Sequence, residues 1–277
     1  MKPPFSAGRR FLLLGLVFFF SGGCATLPAT SPLLDREQQQ MAAVFLQTME
    51  ERLACVCCLD ARVDLTLRSF FKSGTITGFL QARSPSFLKF VGLNPLGQPM
   101  VMLVTDGDTF RSLVVPEGKA FAGPVTAAAF TRHAPAGFDP GHGFFWLTGS
   151  LPPRDLRIME VRKDAGGQGY WLVAVRGGEE FRRHLLFDAE KRLLLRHIVL
   201  DGRGAVVMDV RYSGHQGVVA AGGGMCFLPG GIRVEAGGKP GGSVLEMTLD
   251  DWLPEAEFSA GDFTLVLPPG FVLTPVE

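Results

Sequence analysis

Cysteine and histidine are the residue types in this chain whose spacing could carry chemistry. Cys55-Val56-Cys57-Cys58 forms a tight cluster, and Cys226 stands far downstream. Cys55 to Cys58 has the spacing of a redox Cys-x-x-Cys, but the βαβ setting of such a motif is missing. A metal site would want ligands in two separated groups, and His215 is the only histidine near Cys226. The four thiols can pair in three ways. A structural bridge from the cluster to Cys226 is preferred to free buried thiols, to a metal site and to catalysis, in that order. His133, Asp139 and His142 lie in and beside the Pro- and Gly-rich run from Thr131 to Gly141, and no Gly-x-Ser-x-Gly elbow or His-Glu-x-x-His helix accompanies them. Loop solvation is their expected role. The glycine runs Gly222 to Gly224 and Gly237 to Gly242 do not lead from a strand into a helix with phosphate-loop spacing, which disfavours nucleotide binding. The residues therefore imply no enzyme, no metal and no cofactor.

The fifth cysteine, Cys24, belongs to a sorting signal. Lys2, Arg9 and Arg10 make a basic start, and the apolar run Phe11 to Phe20 is shorter than the roughly 20 residues of a membrane-spanning helix. Ser21-Gly22-Gly23 precede Cys24, as small residues precede the lipidated cysteine of bacterial lipoproteins, although Ser21 stands where leucine is usual. Residues 1–23 are thus expected to be removed and Cys24 to carry the only attached group, covalent lipid such as palmitate. Residues 24–34 are expected to be a tether and residues 35–277 a single domain. Ala25 follows Cys24 where aspartate would mark inner-membrane retention, so the expected location is the periplasmic face of the outer membrane.

Of the 27 basic residues, three lie in the removed stretch, which holds none of the 27 acidic ones; the remaining 24 against 27 give a net charge of −3. That balance offers no basic face for nucleic acid. Hydrophobic content of 47% with 35 glycines and 19 prolines fits a β-rich fold with many turns.

Ahead of the sheet, Asp35 can cap a helix with Gln38 three residues on, and Met41, Phe45, Met49 and Leu53 recur every four residues. From Arg62 the period becomes two, and successive runs predict strands joined by tight turns, hence an antiparallel sheet. The sheet is interrupted by two predicted short helices, Pro124 to Phe130 and Gly143 to Thr148. Placed between two sets of strands, they must pack on the sheet or across an open end, as a lid. Strands resume from Leu156 to Leu249, and Phe263 to Gly270 supplies one more. The fold class is mainly β (α+β).

The hairpin from Phe87 to Val104 turns at Asn94-Pro95-Leu96-Gly97. Pro95 fixes φ, Gly97 can take φ > 0, and Leu96 sits at the tip, where an apolar side chain can enter an apolar phase.

Here the chain resembles LolB, the outer-membrane receptor of the bacterial lipoprotein-localisation pathway. The matching residues are the strands around Asn94-Pro95-Leu96-Gly97, then Asp106-Gly107 before Phe110, Phe145-Trp146-Leu147-Thr148-Gly149 with Leu151-Pro152, and Leu245 to Trp252. The resemblance implies a half-closed barrel plugged by helices, with Phe130, Phe144, Phe145, Trp146, Leu147 and Trp252 as cavity or lid candidates. It also implies that Leu96 protrudes and helps deliver lipoproteins to the membrane. The implied partners are acylated lipoproteins or lipids, a periplasmic LolA-like carrier and the outer membrane. The alternative is an assembly lipoprotein on the same scaffold, its interior filled by its own side chains and a protein partner bound at a sheet edge.

Overall fold

The computed structural model describes residues 28–68, 73–126, 139–219, 223–237, 243–253 and 257–276; Cys24, Phe130 and His133 lie outside them. The first elements are β1 (Thr30–Pro32), α1 (Asp35–Cys55), β2 (Cys58–Arg68), β3 (Ser73–Arg83), β4 (Phe87–Leu93), β5 (Pro99–Thr105), β6 (Thr109–Val114) and β7 (Lys119–Pro124). Helix α2 (Gly143–Thr148) follows, then β8 (Leu156–Asp164), β9 (Tyr170–Arg176), β10 (Arg182–Asp188), β11 (Leu193–Leu200) and β12 (Val206–Ser213). The chain ends with β13 (Gln216–Val219), β14 (Met225–Leu228), β15 (Gly231–Ala236), β16 (Val244–Leu253) and β17 (Val272–Pro275).

All but β13 and β14 join one curved sheet that does not close, in the order β1-β8-β9-β10-β11-β12-β15-β16-β2-β3-β4-β5-β6-β7-β17. Most strands adjacent in sequence pair as hairpins, which is what turns such as Asp201-Gly202-Arg203-Gly204 specify: Asp201 Oδ1 accepts from the Arg203 and Ala205 amides at 2.9 and 2.8 Å.

Four expectations are corrected. The sheet is mixed, because β17 pairs with β7 in parallel. The strand expected over Phe263 to Gly270 is replaced by a 3-10 turn at Ala260–Phe263 and extended chain, with the strand itself beginning at Val272. Pro268 and Pro269 have no N–H to give a ladder. That extended chain runs over the outer face of β4 to β7, where Phe263 and Leu265 are buried with Val104, Leu113 and Ala120. Pro124 closes β7 instead of opening a helix, and the rest of that predicted helix, from residue 127, lies outside the described residues. Thr30–Pro32, expected to be tether, pairs with Arg162–Asp164 as an edge strand.

Helix α1 begins at Asp35 itself, so its cap lies one residue before the expected one. Leu34 is the capping position, and its amide donates to Glu37 Oε2 at 3.2 Å. Gln38 instead faces the sheet: its amide donates to the Leu33 carbonyl, and its Oε1 accepts from the Val161 N–H at 3.1 Å. Docking against β8 sets the helix register, overriding the local cap signal. Phe45 and Met49 are wholly buried on the inner face, and Phe45 meets Phe187 edge to face at 5.2 Å. Each such side chain stabilises the fold by roughly 1.5–3 kcal/mol on leaving water. No helix among the described residues is long and apolar enough to cross a membrane.

Candidate functional site: an apolar cavity and an exposed turn

Alternation along each strand sends every second side chain inward. In β4 these are Leu88 and Phe90, in β2 Val63 and Leu65, and in β16 Leu245 and Met247. Together with inner residues of β3, β5 to β7, β12 and β15, and with Val276, they enclose a cavity of about 610 Å³. Among the described residues, Ser112 gives its lining one hydroxyl and no charged side chain lines it. Well-packed cores hold few voids larger than a water molecule, whereas ligand pockets span roughly 300–1,000 Å³. The interior is therefore hollow on the scale of a ligand.

Helix α2 forms one wall, with Gly143, Trp146 and Leu147 lining the cavity. Gly143 lets α2 approach β4 closely: a Cβ there would lie 2.9 Å from Leu88 Cδ1, a methyl that would have to turn aside. Phe144 and Phe145 point elsewhere and are buried in the packed core, and Trp252 is half-buried against that core away from the cavity. Of the six expected cavity residues, Trp146 and Leu147 thus line it, and Phe130 is outside the described residues.

Both ends of α2 are tied down. At its end, the Arg52 guanidinium of α1 donates to the Thr148 and Gly149 carbonyls at 3.1 and 3.3 Å and to the Arg192 carbonyl at 3.2 Å. Burial pulls the Arg52 pKa down to about 10. At its start, Asp139 and His142 are not solvated loop residues as expected. The His142 ring bonds the Asp139 carboxylate, and Arg176 of β9 reaches His142 Nε2 at 2.8 Å and Asp139 Oδ2 at 3.3 Å. The His142 bond, then the Arg176 charge, hold the Asp139 carboxyl below its ordinary value despite partial burial. Glu179 bridges Arg176 to Arg183, which is 3% exposed and donates to His197 Nε2 at 3.1 Å. Burial, then the Arg183 charge, push His197 well below its usual pKa. Sequence reading missed Arg176, Arg183 and His197, which come from three strands; no local pattern joins them.

The Asn94–Gly97 turn is built by Asn94. Its Oδ1 accepts from the amides of Leu96 and Gln98, both at 2.9 Å, and its Nδ2 donates to Gln98 Oε1 at 3.0 Å. Gly97 takes φ 77°, the left-handed region. Leu96 is consequently held out at 83% exposure.

A disulfide joins Cys55, at the end of α1, to Cys226 of β14, with Cα atoms 6.2 Å apart; Cys57 and Cys58 are free. The β13–β14 hairpin that it fastens was not expected from the sequence.

The fold is similar to that of a putative outer membrane lipoprotein-sorting protein domain from Vibrio parahaemolyticus. That likeness has a TM-score of 0.56 at 12% identity and covers 79% of this chain and 95% of the other. A DUF1329 family protein from Desulfovibrio piger gives a TM-score of 0.56 at 11% identity over 80% and 96% of the two chains. A LolA superfamily protein from Nitrosomonas europaea gives 0.55 at 10% identity over 81% and 97%. No protein-family model and no curated protein matches the sequence. At these identities the likeness establishes a LolA-like open-barrel fold.

Proposed function

We propose that the chain is an outer-membrane lipoprotein, anchored through Cys24, that takes acyl chains of lipoproteins or lipids into its cavity and helps insert lipoproteins into the membrane. The observation that carries this reading is the cavity of about 610 Å³, bounded by α2 and, among the described residues, lined by apolar side chains and the Ser112 hydroxyl. A methylene group leaving water for such a lining gains roughly 0.8 kcal/mol, yet exchange between cavity and bilayer is nearly balanced. Transfer then needs no bond chemistry and no energy source. The Leu96 turn is the element offered to the lipid, and a periplasmic LolA-like carrier is the proposed donor. The sorting description of one similar fold agrees with this.

The test is Leu96→Glu in a lipoprotein-insertion assay. The variant is expected to fold as the wild type, because Leu96 has no packing to lose, and to fail in insertion. Undiminished insertion would remove the turn from the proposed function. A filled interior with a protein partner at a sheet edge is the poorer reading, because a cavity of about 610 Å³ lies among the described residues.

A further inference from the structure

The cysteine cluster holds a second pair of sulfurs that the cavity does not use. Cys57 and Cys58 are adjacent in the chain, both thiols are free, and their sulfurs lie 3.3 Å apart. Cys57 is exposed, while Cys58, at the first position of β2, is 3% exposed. Cys55 is already held by Cys226 and does not compete for either thiol.

We propose that Cys57 and Cys58 form a reversible oxidation site, closing to a vicinal disulfide by exchange with a small-molecule disulfide. The exposed Cys57 thiolate attacks one sulfur of the incoming disulfide, forms a mixed disulfide and releases the first thiolate. Cys58 gives up its proton and attacks the Cys57 sulfur, and the second thiolate leaves. Two electrons pass from the protein pair to the small disulfide, which departs as two thiols.

Neighbouring Cα atoms lie about 3.8 Å apart across a trans peptide, below the roughly 4.4–6.8 Å of ordinary disulfides. A bond between adjacent cysteines is therefore strained and easily reduced, unlike one with the spacing of Cys55–Cys226. The titratable and charged groups facing Cys57 are Cys58 on β2 and Arg83 on β3. Partial burial, then Cys58, raise the Cys57 pKa, so exchange accelerates as the solution becomes alkaline.

The experiment treats the full chain with oxidised glutathione at mildly alkaline pH, then alkylates it and maps its peptides without reduction. Loss of both alkylatable thiols, a Cys57–Cys58 bond, and its reversal by dilute dithiothreitol with Cys55–Cys226 intact are expected. In Cys58→Ser, glutathione is expected to stay on Cys57, because nothing displaces it. A persistent adduct on wild-type Cys57, a bond from Cys57 to Cys55 or Cys226, or two thiols still free would overturn the proposal. The wild-type map decides alone if the variant does not fold.

Discussion

The Trp146 indole lies flat on the His197 imidazole, ring centres 4.5 Å apart and planes within 1°. One ring thus belongs to both the cavity and the polar cluster behind it, since Trp146 lines the first while His197 bonds Arg183 in the second. Trp146→Ala removes the wall and the stack together. A loss of about 3 kcal/mol, at the low end of aromatic-to-alanine costs in buried positions, is expected by urea denaturation.

Stability should fall with acid. Burial depresses His215 to about 4 and pushes His197 well below the usual histidine range. With folded pKa values below the unfolded value of about 6.5, the unfolded chain binds more protons as pH drops, so stability present above 6.5 is lost below it. For His215 the loss extends down to about pH 4. Thermal midpoints across this window are expected to decline, and His215→Asn to flatten the slope.

The Cys55–Cys226 disulfide closes a long loop, at a sequence separation of 171. Its removal in Cys226→Ser is expected to cost about 2–5 kcal/mol in denaturant titrations. The wild type treated with strong reductant should match the variant.

Arg52 meets three carbonyls, two of them at the end of α2. Arg52→Met leaves those acceptors without their donor, at about 1–3 kcal/mol. Faster amide hydrogen exchange in Phe145 to Ser150 is the expected sign that the wall has loosened.

Much of the architecture was legible because two-residue periodicity and turn residues repeat from Arg62 to Leu249. What was hidden had non-local causes. Thr30–Pro32 and the β13–β14 hairpin are short; the first is a strand through its pairing with β8, and the second is fastened to α1 by the disulfide. The parallel placement of β17 depends on where the outer-face crossover delivers the chain. Of the site, Leu96 was visible through its turn, though the organising bonds come from Asn94, and Pro95 and Gly97 were given that part. The Asp139–His142 pair looked like solvated loop because its partner Arg176 lies 34 residues beyond His142.

The most direct test of the central claim is mass spectrometry of lipid on protein purified without its own anchor, beside a Leu103→Trp variant whose larger ring would narrow the cavity. Bound acyl lipid on the wild type, reduced in the variant, is the expected result. Wild-type protein free of lipid and unable to take up a fluorescent fatty acid would contradict it.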